Sequence, residues 1–225
     1  MKTTLLNFPA VIFDLDGTLI DSLEDIADSM NAVLTSRGFS EHPFESYRTF
    51  VGEGVKTLVR RALPEGYYSE ETIEECVLEM RAEYQLRWAD KTRPYDGIPG
   101  VLDELFHRGI KLNVFSNKPG DFTRMTVGKF FGEDKFQQIL GVGPSVPAKP
   151  NPAGAFRIAE SLELPPGRFL FFGDTNIDMR TARKAGMIPV GVLWGFRSME
   201  ELKDAGAKEV LRNPEDILKF FPKRS

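Results

Sequence analysis

Val11-Ile12-Phe13-Asp14-Leu15-Asp16-Gly17-Thr18-Leu19-Ile20-Asp21-Ser22 is the stretch that decides how the rest of the chain is read. Val11, Ile12 and Phe13 are β-branched or aromatic and read as a short buried strand. The run ends in two carboxylates one residue apart, followed at once by a glycine. If the chain stays extended past Asp14, alternation sends Asp14 and Asp16 to the same side. Two like charges that close are costly unless a cation lies between them or one takes up a proton. Gly17 permits the turn that follows, and Thr18 offers a hydroxyl and a backbone N–H beside the acids. Hard carboxylate oxygens at the end of a buried strand suit magnesium. An isolated Asp-Gly pair is also an ordinary turn, so the reading depends on what lies downstream.

Three later segments supply the missing parts: Val114-Phe115-Ser116-Asn117-Lys118-Pro119, Ala148-Lys149-Pro150-Asn151-Pro152 and Phe171-Phe172-Gly173-Asp174-Thr175-Asn176-Ile177-Asp178. Each has a bland reading by itself. Ser116-Asn117 is a common loop dipeptide, Lys149 fits a solvated loop, and Asp174 fits a helix N-cap. All three bland readings must hold together to defeat a catalytic one.

With Asp14-Leu15-Asp16-Gly17-Thr18, these segments resemble, in order, the four motifs of the haloacid dehalogenase superfamily of phosphohydrolases. The resemblance spans nearly the whole chain. Phe50-Val51-Gly52-Glu53-Gly54-Val55 and Tyr95-Asp96-Gly97-Ile98-Pro99-Gly100-Val101 further resemble its phosphoglycolate phosphatase branch. Ser116 stands where that branch often carries threonine, and the hydroxyl is kept.

The composition bounds the alternatives. A chain of 225 residues holds one sizeable core, or a core with a small companion domain. No apolar run reaches the length of a membrane span, and the stretch Met1–Pro9 is too short in apolar residues for a signal peptide. Cys76 is the single cysteine, so no intrachain disulfide forms and a reducing cytoplasm is expected. It reads as a core-facing helix residue. Only two histidines are present, which gives little support to a histidine-based zinc site or a Ser-His-Asp triad. His42 and His107 are both expected at the surface. The net charge is −4, with 15 acidic and 9 basic residues between Ile20 and Arg93. That acidic segment argues against nucleic acid as a partner.

From Asp21 to Arg93 the apolar residues recur at helical spacing and no strand is expected. Helices are read over Asp21–Arg37, over Val55–Leu63, and from Ser69 along the line Ile73, Val77, Met80, Tyr84 and Trp88. From Pro94 the pattern alternates. Helices are read at Gly100–Arg108, Asp121–Phe131, Asn151–Leu162, Ile177–Ala185, Met199–Ala205 and Pro214–Phe221, and strands at Lys111–Phe115, Gln138–Val142, Phe169–Phe172 and Pro189–Leu193. Alternation of this kind predicts an α/β fold, a Rossmann-like, mainly parallel sheet flanked by helices. The resemblance implies a core domain of residues 1–20 and 94–225, with an all-helical cap domain, 21–93, inserted after the first motif. Asp14, Ser116 and Asp174 each follow an apolar strand, so all three can meet at the carboxyl rim of the sheet, where ligands of such folds sit.

The resemblance implies a Mg²⁺-dependent phosphatase acting on a small phosphate monoester, 2-phosphoglycolate first. Another small phosphate (a sugar phosphate, nucleotide or pyrophosphate) is the alternative, and a binding protein that kept the fold a more distant one. Asp14 is then the nucleophile that forms an aspartyl-phosphate, and Asp16 the general acid and base. Leu15, Thr18, Ser116, Asn117 and Lys149 bind the phosphoryl oxygens. Asp14, the Asp16 carbonyl and Asp174 hold the metal, while Asp178 holds a metal water or Lys149. Specificity is expected in the inserted segment. From Arg48 to Arg61 four basic residues face one acid, Glu53. Gly52, Glu53, Gly54 and Lys56 there are candidates to meet the substrate's distal carboxylate.

Overall fold

The computed structural model describes residues 8–222; the N-terminal stretch Met1–Asn7 discussed above lies outside the described residues. The chain forms two compact units, one made of the residues up to Leu19 and from Pro94 onward, the other of Ile20–Arg93.

In chain order, β1 (Ala10–Phe13) leads through β2 (Ile20–Asp21) into the helical unit. That unit holds α1 (Leu23–Ser36), α2 (Tyr47–Phe50), α3 (Val55–Ala62) and α4 (Glu70–Arg87). The chain leaves it through β3 (Arg93–Pro94), which pairs with β2 as a two-stranded ribbon. The larger unit continues with α5 (Ile98–His107), β4 (Lys111–Pro119), α6 (Gly120–Phe131), β5 (Phe136–Val142) and α7 (Ala153–Ser161). It ends with β6 (Phe169–Gly173), α8 (Asn176–Ala185), β7 (Ile188–Val192), α9 (Met199–Asp204), β8 (Glu209–Leu211) and a 3-10 helix over Pro214–Phe220.

The sheet of the larger unit has six strands in the order β5-β4-β1-β6-β7-β8, and every pairing in it is parallel. Val11 is in register with Leu112 on one side and Leu170 on the other. Because β1 is flanked on both edges and covered on both faces, all four of its residues are buried, which is why it reads as a continuous apolar run. The strand order reverses direction at β1. Its carboxyl end is therefore a switch point, where crossovers leave in opposite directions and open a crevice. On one face Ile12, Phe115, Ala155, Ile158 and Phe171 form a single apolar cluster.

The helical unit is built from amphipathic faces. Leu23, Ile26, Met30, Val33 and Leu34 of α1 are buried, as are Ile73, Cys76, Met80 and Tyr84 of α4. The Ser69 side chain caps α4 by accepting the Thr72 N–H. Asp25, buried in α1, accepts the backbone N–H groups of Lys91 and Thr92 and the Thr92 hydroxyl, tying the exit of the unit to its first helix.

Some elements escape the sequence pattern. α2, β2 and β3 are two to four residues long, too short to show a period. β8 is a three-residue strand whose Glu209 is exposed, and the Pro214–Phe220 helix is 3-10 rather than α. Val77 and Trp88 are half-buried rather than inward, with Cys76 fully buried on the core side. His42 is not a surface residue. It is half-buried, its ring edge-on to Tyr47 and Phe50 and its Nε2 2.8 Å from the Ala62 carbonyl. Among the described residues no helix is long and apolar enough to cross a membrane.

Candidate active site

β1 delivers Asp14 to the rim. The strand ends at Phe13, and the Asp14 N–H still bonds the Phe172 carbonyl of β6 at 2.9 Å. Asp14 Oδ1 accepts the Leu15 N–H at 2.7 Å and lies 2.8 Å from Lys149 Nζ. Lys149 Nζ is also 2.6 Å from Asp178 Oδ1, so one ammonium stands between two carboxylates. Asp178 uses its other oxygen to accept the Thr175 N–H and hydroxyl at 3.1 and 2.7 Å, closing the capping box of α8. The pair Asp174 and Asp178 is thus divided. Asp178 orients Lys149 and the helix start, and Asp174 bonds other partners.

Asp174, at the end of β6, has no exposed surface. Its Oδ1 accepts the Thr18 hydroxyl at 3.1 Å and its Oδ2 accepts the Phe196 N–H at 2.9 Å. Both donors are neutral. Asp14, Asp174 and Asp178 present oxygens within 4.8 Å of one another, all buried. Burial pushes the Asp174 carboxyl well above its usual range, and the charges of Asp178 and Asp14 push it further. Burial likewise raises Asp14 to about 7 against the pull of Lys149, with Asp178 adding to the rise. For Lys149, burial works against its charge, but Asp14 and Asp178 together raise it above its ordinary value, so it stays an ammonium.

A buried carboxylate bonded to neutral donors and crowded by two more is expensive as an anion. A divalent cation with oxygen preference offsets that cost, so this donor set fits Mg²⁺ chemically. Gly17, at φ +83°, makes the crowding possible: a Cβ there would come 2.3 Å from Asp174 Oδ2.

Of the remaining candidates in the larger unit, Asn117 is tied to this trio through Lys149. β4 extends to Pro119, so Ser116 and Asn117 lie within the strand instead of after it. Ser116 Oγ accepts the Lys118 N–H at 3.2 Å. The Asn117 amide grips the Lys149 backbone from both sides: its Oδ1 accepts the Lys149 N–H at 2.7 Å, and its Nδ2 donates to the Lys149 carbonyl at 3.1 Å. Its side chain positions the lysine.

Asp16 does not join the trio through its carboxylate. Its Oδ1 is 2.8 Å from Lys118 Nζ, whose side chain is 4 % exposed. The two aspartates of the opening stretch are each served by a different lysine, because β1 ends at Phe13 and alternation no longer governs Asp16. Lys118 sits inside the second segment quoted above. Its role went unread because nothing local links it to Asp16.

Gly52, Glu53, Gly54 and Lys56 lie at the start of α3 in the helical unit. Glu53 pairs with Arg61. Lys56 pairs with Glu70 at 2.6 Å and Glu74 at 3.7 Å. Arg60 pairs with Glu70 at 2.8 Å and Arg48 with Glu45 at 3.0 Å. The local excess of base between Arg48 and Arg61 is matched by acids from neighbouring segments.

A lysine between two buried aspartates, with a third beside them, stands at the carboxyl end of the central parallel strand. The model of the haloacid dehalogenase-like hydrolase family matches residues 11–192. A phosphoglycolate phosphatase of Psychrobacter arcticus is 34% identical over 223 residues, covering 94% of this chain and 96% of its own. One from Aquifex aeolicus is 30% identical over 212 residues, covering 94% and 95%. A crystal structure from Haemophilus somnus, described as a predicted phosphoglycolate phosphatase, superposes with a TM-score of 0.88 at 28% identity, covering 96% of this chain and 98% of that one. The chain belongs to the haloacid dehalogenase-like hydrolase family. By reaction class it is a phosphoric monoester hydrolase.

Proposed function

We propose that the chain hydrolyses 2-phosphoglycolate in two displacements through an aspartyl-phosphate on Asp14, with Mg²⁺ held by Asp14, the Asp16 carbonyl and Asp174. The observation that carries the metal is Asp174, a fully buried carboxylate bonded to neutral donors beside two other acids. Bound there, the cation would neutralise the repulsion between the Asp14 carboxylate and a phosphate dianion. The names of the relatives support the choice of substrate.

Each residue has a task that its surroundings suit. Asp14 attacks as its carboxylate, the form that Lys149 beside it favours and that a bound cation would favour further. Its oxygen bonds to phosphorus as the ester P–O bond breaks. Asp16 gives its proton to the leaving alkoxide, then removes one from the water that attacks the same phosphorus. The P–O bond to Asp14 breaks, releasing phosphate and restoring the carboxylate. Lys149 places a fixed positive charge beside Asp14, where the phosphoryl oxygens gather charge. Ser116, Thr18 and the backbone N–H groups of Leu15 and Asn117 complete the oxygen cradle. Asp178 keeps Lys149 in place.

For discrimination among esters we assign the segment Gly52, Glu53, Gly54 and Lys56 of the inserted cap. Glu53, the one acid of that segment, is paired with Arg61, which offsets its charge. The pairs of Lys56 are surface pairs, which contribute little and exchange readily for another carboxylate. The buried lone thiol Cys76 suits a reducing, cytoplasmic setting.

The test is phosphate release from phosphoglycolate, sugar phosphates, nucleotides and pyrophosphate, with Mg²⁺ or EDTA, for wild type and Asp14→Asn. The expected result is a preference for phosphoglycolate that vanishes with EDTA and with Asp14→Asn. Preference for another ester moves the substrate and keeps the mechanism. Turnover that survives Asp14→Asn overturns the covalent route.

A further inference from the structure

The loop after β7, Trp194-Gly195-Phe196, takes no part in the four motifs, yet it is built into the site from behind. The Phe196 N–H bonds Asp174 Oδ2 at 2.9 Å. The Trp194 indole N–H bonds the Thr18 carbonyl at 2.9 Å, and the Thr18 hydroxyl in turn bonds Asp174 Oδ1 at 3.1 Å. Gly195 lies between these contacts, with no room for a side chain: a Cβ there would come 2.3 Å from Asp174 Cβ and 2.3 Å from the Gly17 carbonyl oxygen. The β1 turn, the end of β6 and the β7 loop therefore interlock around one carboxylate.

This geometry fixes both oxygens of Asp174. A carboxylate held by a neutral donor on each oxygen keeps one rotamer, with a lone-pair direction of each oxygen still open. A carboxylate free to rotate must first be ordered when it binds a cation, and that ordering subtracts from affinity. We propose that Trp194-Gly195-Phe196 is a positioning element that sets the affinity of the site for its divalent cation, by holding Asp174 in the ligating rotamer and tying it to the turn that carries Asp14 and Asp16. The inference rests on the reading of Asp174 as a metal ligand. The bonds of Trp194 and Phe196 go to the Thr18 carbonyl and to Asp174, so the effect is expected first on the cation.

The experiment uses the whole chain with Mg²⁺ as the probe and two readouts, the rise in Tm with added Mg²⁺ and steady-state hydrolysis. Trp194→Phe removes the indole donor and keeps an aromatic ring. Gly195→Ala drives a methyl into Asp174 and the Gly17 carbonyl. Ser198→Ala, which removes only the cap of α9, is the control for a loop that is merely less stable. Loss of a group that orients a metal ligand weakens metal binding roughly ten- to a hundredfold. Trp194→Phe should therefore need about tenfold more Mg²⁺ for half of the Tm rise and for half-maximal turnover. Its KM for the ester at saturating Mg²⁺ should stay within about twofold of wild type. Ser198→Ala should lower Tm with and without Mg²⁺ alike.

An unchanged Mg²⁺ midpoint in Trp194→Phe overturns the inference, even if Gly195→Ala fails to fold. A raised KM at saturating Mg²⁺ with an unchanged midpoint also overturns it, since the loop would then be contacting the ester. A wild type whose Tm and turnover both ignore Mg²⁺ overturns this inference together with the metal reading beneath it. That outcome is separable from the others because it is seen before any variant is made.

Discussion

Lys149 Nζ lies 2.8 Å from Asp14 Oδ1, and both side chains are at least nine-tenths buried. The proposed nucleophile and the lysine beside it come from segments far apart in the chain and are buried together. Removing one member of such a pair leaves an uncompensated charge, at a cost of about 3–5 kcal/mol. Lys149→Met should abolish measurable hydrolysis and lower Tm in the absence of metal. Lys149→Arg should fold better than Lys149→Met yet recover little activity, because a planar fork does not replace a compact ammonium between Asp14 and Asp178. Thermal melts and turnover of the two variants check this.

The raised carboxyls predict how stability depends on pH. Asp14, at about 7 in the folded chain against 3.8 for the free side chain, binds its proton more tightly folded than unfolded. Its contribution to stability is complete below the unfolded value and is lost as pH rises toward about 7. Asp174, raised in the same direction, acts likewise. Without metal, Tm should fall between about pH 4 and pH 7, and Mg²⁺ should restore it at the upper end far more than at the lower, where protons compete for the ligands. Asp14→Asn should flatten part of this dependence. A metal-free Tm that rises over the same interval would contradict the assignment.

The Asn117 amide binds the Lys149 backbone through two hydrogen bonds, at 2.7 and 3.1 Å. Each is worth about 1 kcal/mol. If their function is to place the lysine, Asn117→Ala should lower kcat by roughly ten- to a hundredfold, with a smaller change in KM. Asn117→Asp keeps the acceptor for the Lys149 N–H and loses the donor, so it should fall between. Steady-state kinetics of the three proteins is the measurement.

Asp16 is proposed to act twice, first as acid and then as base, and the two steps separate experimentally. General acid–base catalysis is worth roughly a hundred- to ten-thousandfold. Asp16→Asn should slow turnover of phosphoglycolate by about that much. With an ester whose leaving group needs no proton, the first step should survive and the second should not. Phosphoenzyme on Asp14 should then accumulate and be trapped by acid quench. Equal slowing of both steps would remove Asp16 from the first.

In the helical unit, Lys56→Ala should raise KM for phosphoglycolate more than for a small artificial ester that lacks a distal carboxylate. Equal changes for both would count against this segment as the discriminating one. Because Lys56 is paired with Glu70, Glu70→Gln provides a second arm and should lower KM for phosphoglycolate by releasing the lysine.

Much of the fold was legible along the chain because each buried element carries its own period. β1 and β6 read as apolar runs since both faces of a central parallel strand are covered. The end of α8 was legible in Gly186, which sits at φ +71°, whereas its cap is Thr175 and not Asp174, the cap candidate of the bare sequence. Asp14, Ser116 and Asp174 could be directed to one rim because the strands of such a sheet all point the same way. Elements of two to four residues, such as β2 and α2, carry no period to read.

The sequence by itself pointed Asp14, Ser116 and Asp174 toward one rim, because each follows an apolar strand. Only the tertiary structure decided which group meets which. Lys118 and Asp16 are 102 residues apart in the chain. Trp194 and Thr18 are 176 apart. Glu70 and Glu74 cancel a charge on Lys56 that looked free in a local count. Partnership between polar side chains is a contact across crossovers, with no periodicity to announce it. Where the contact is buried, as between Lys149 and Asp14, it fixes where a charge is held.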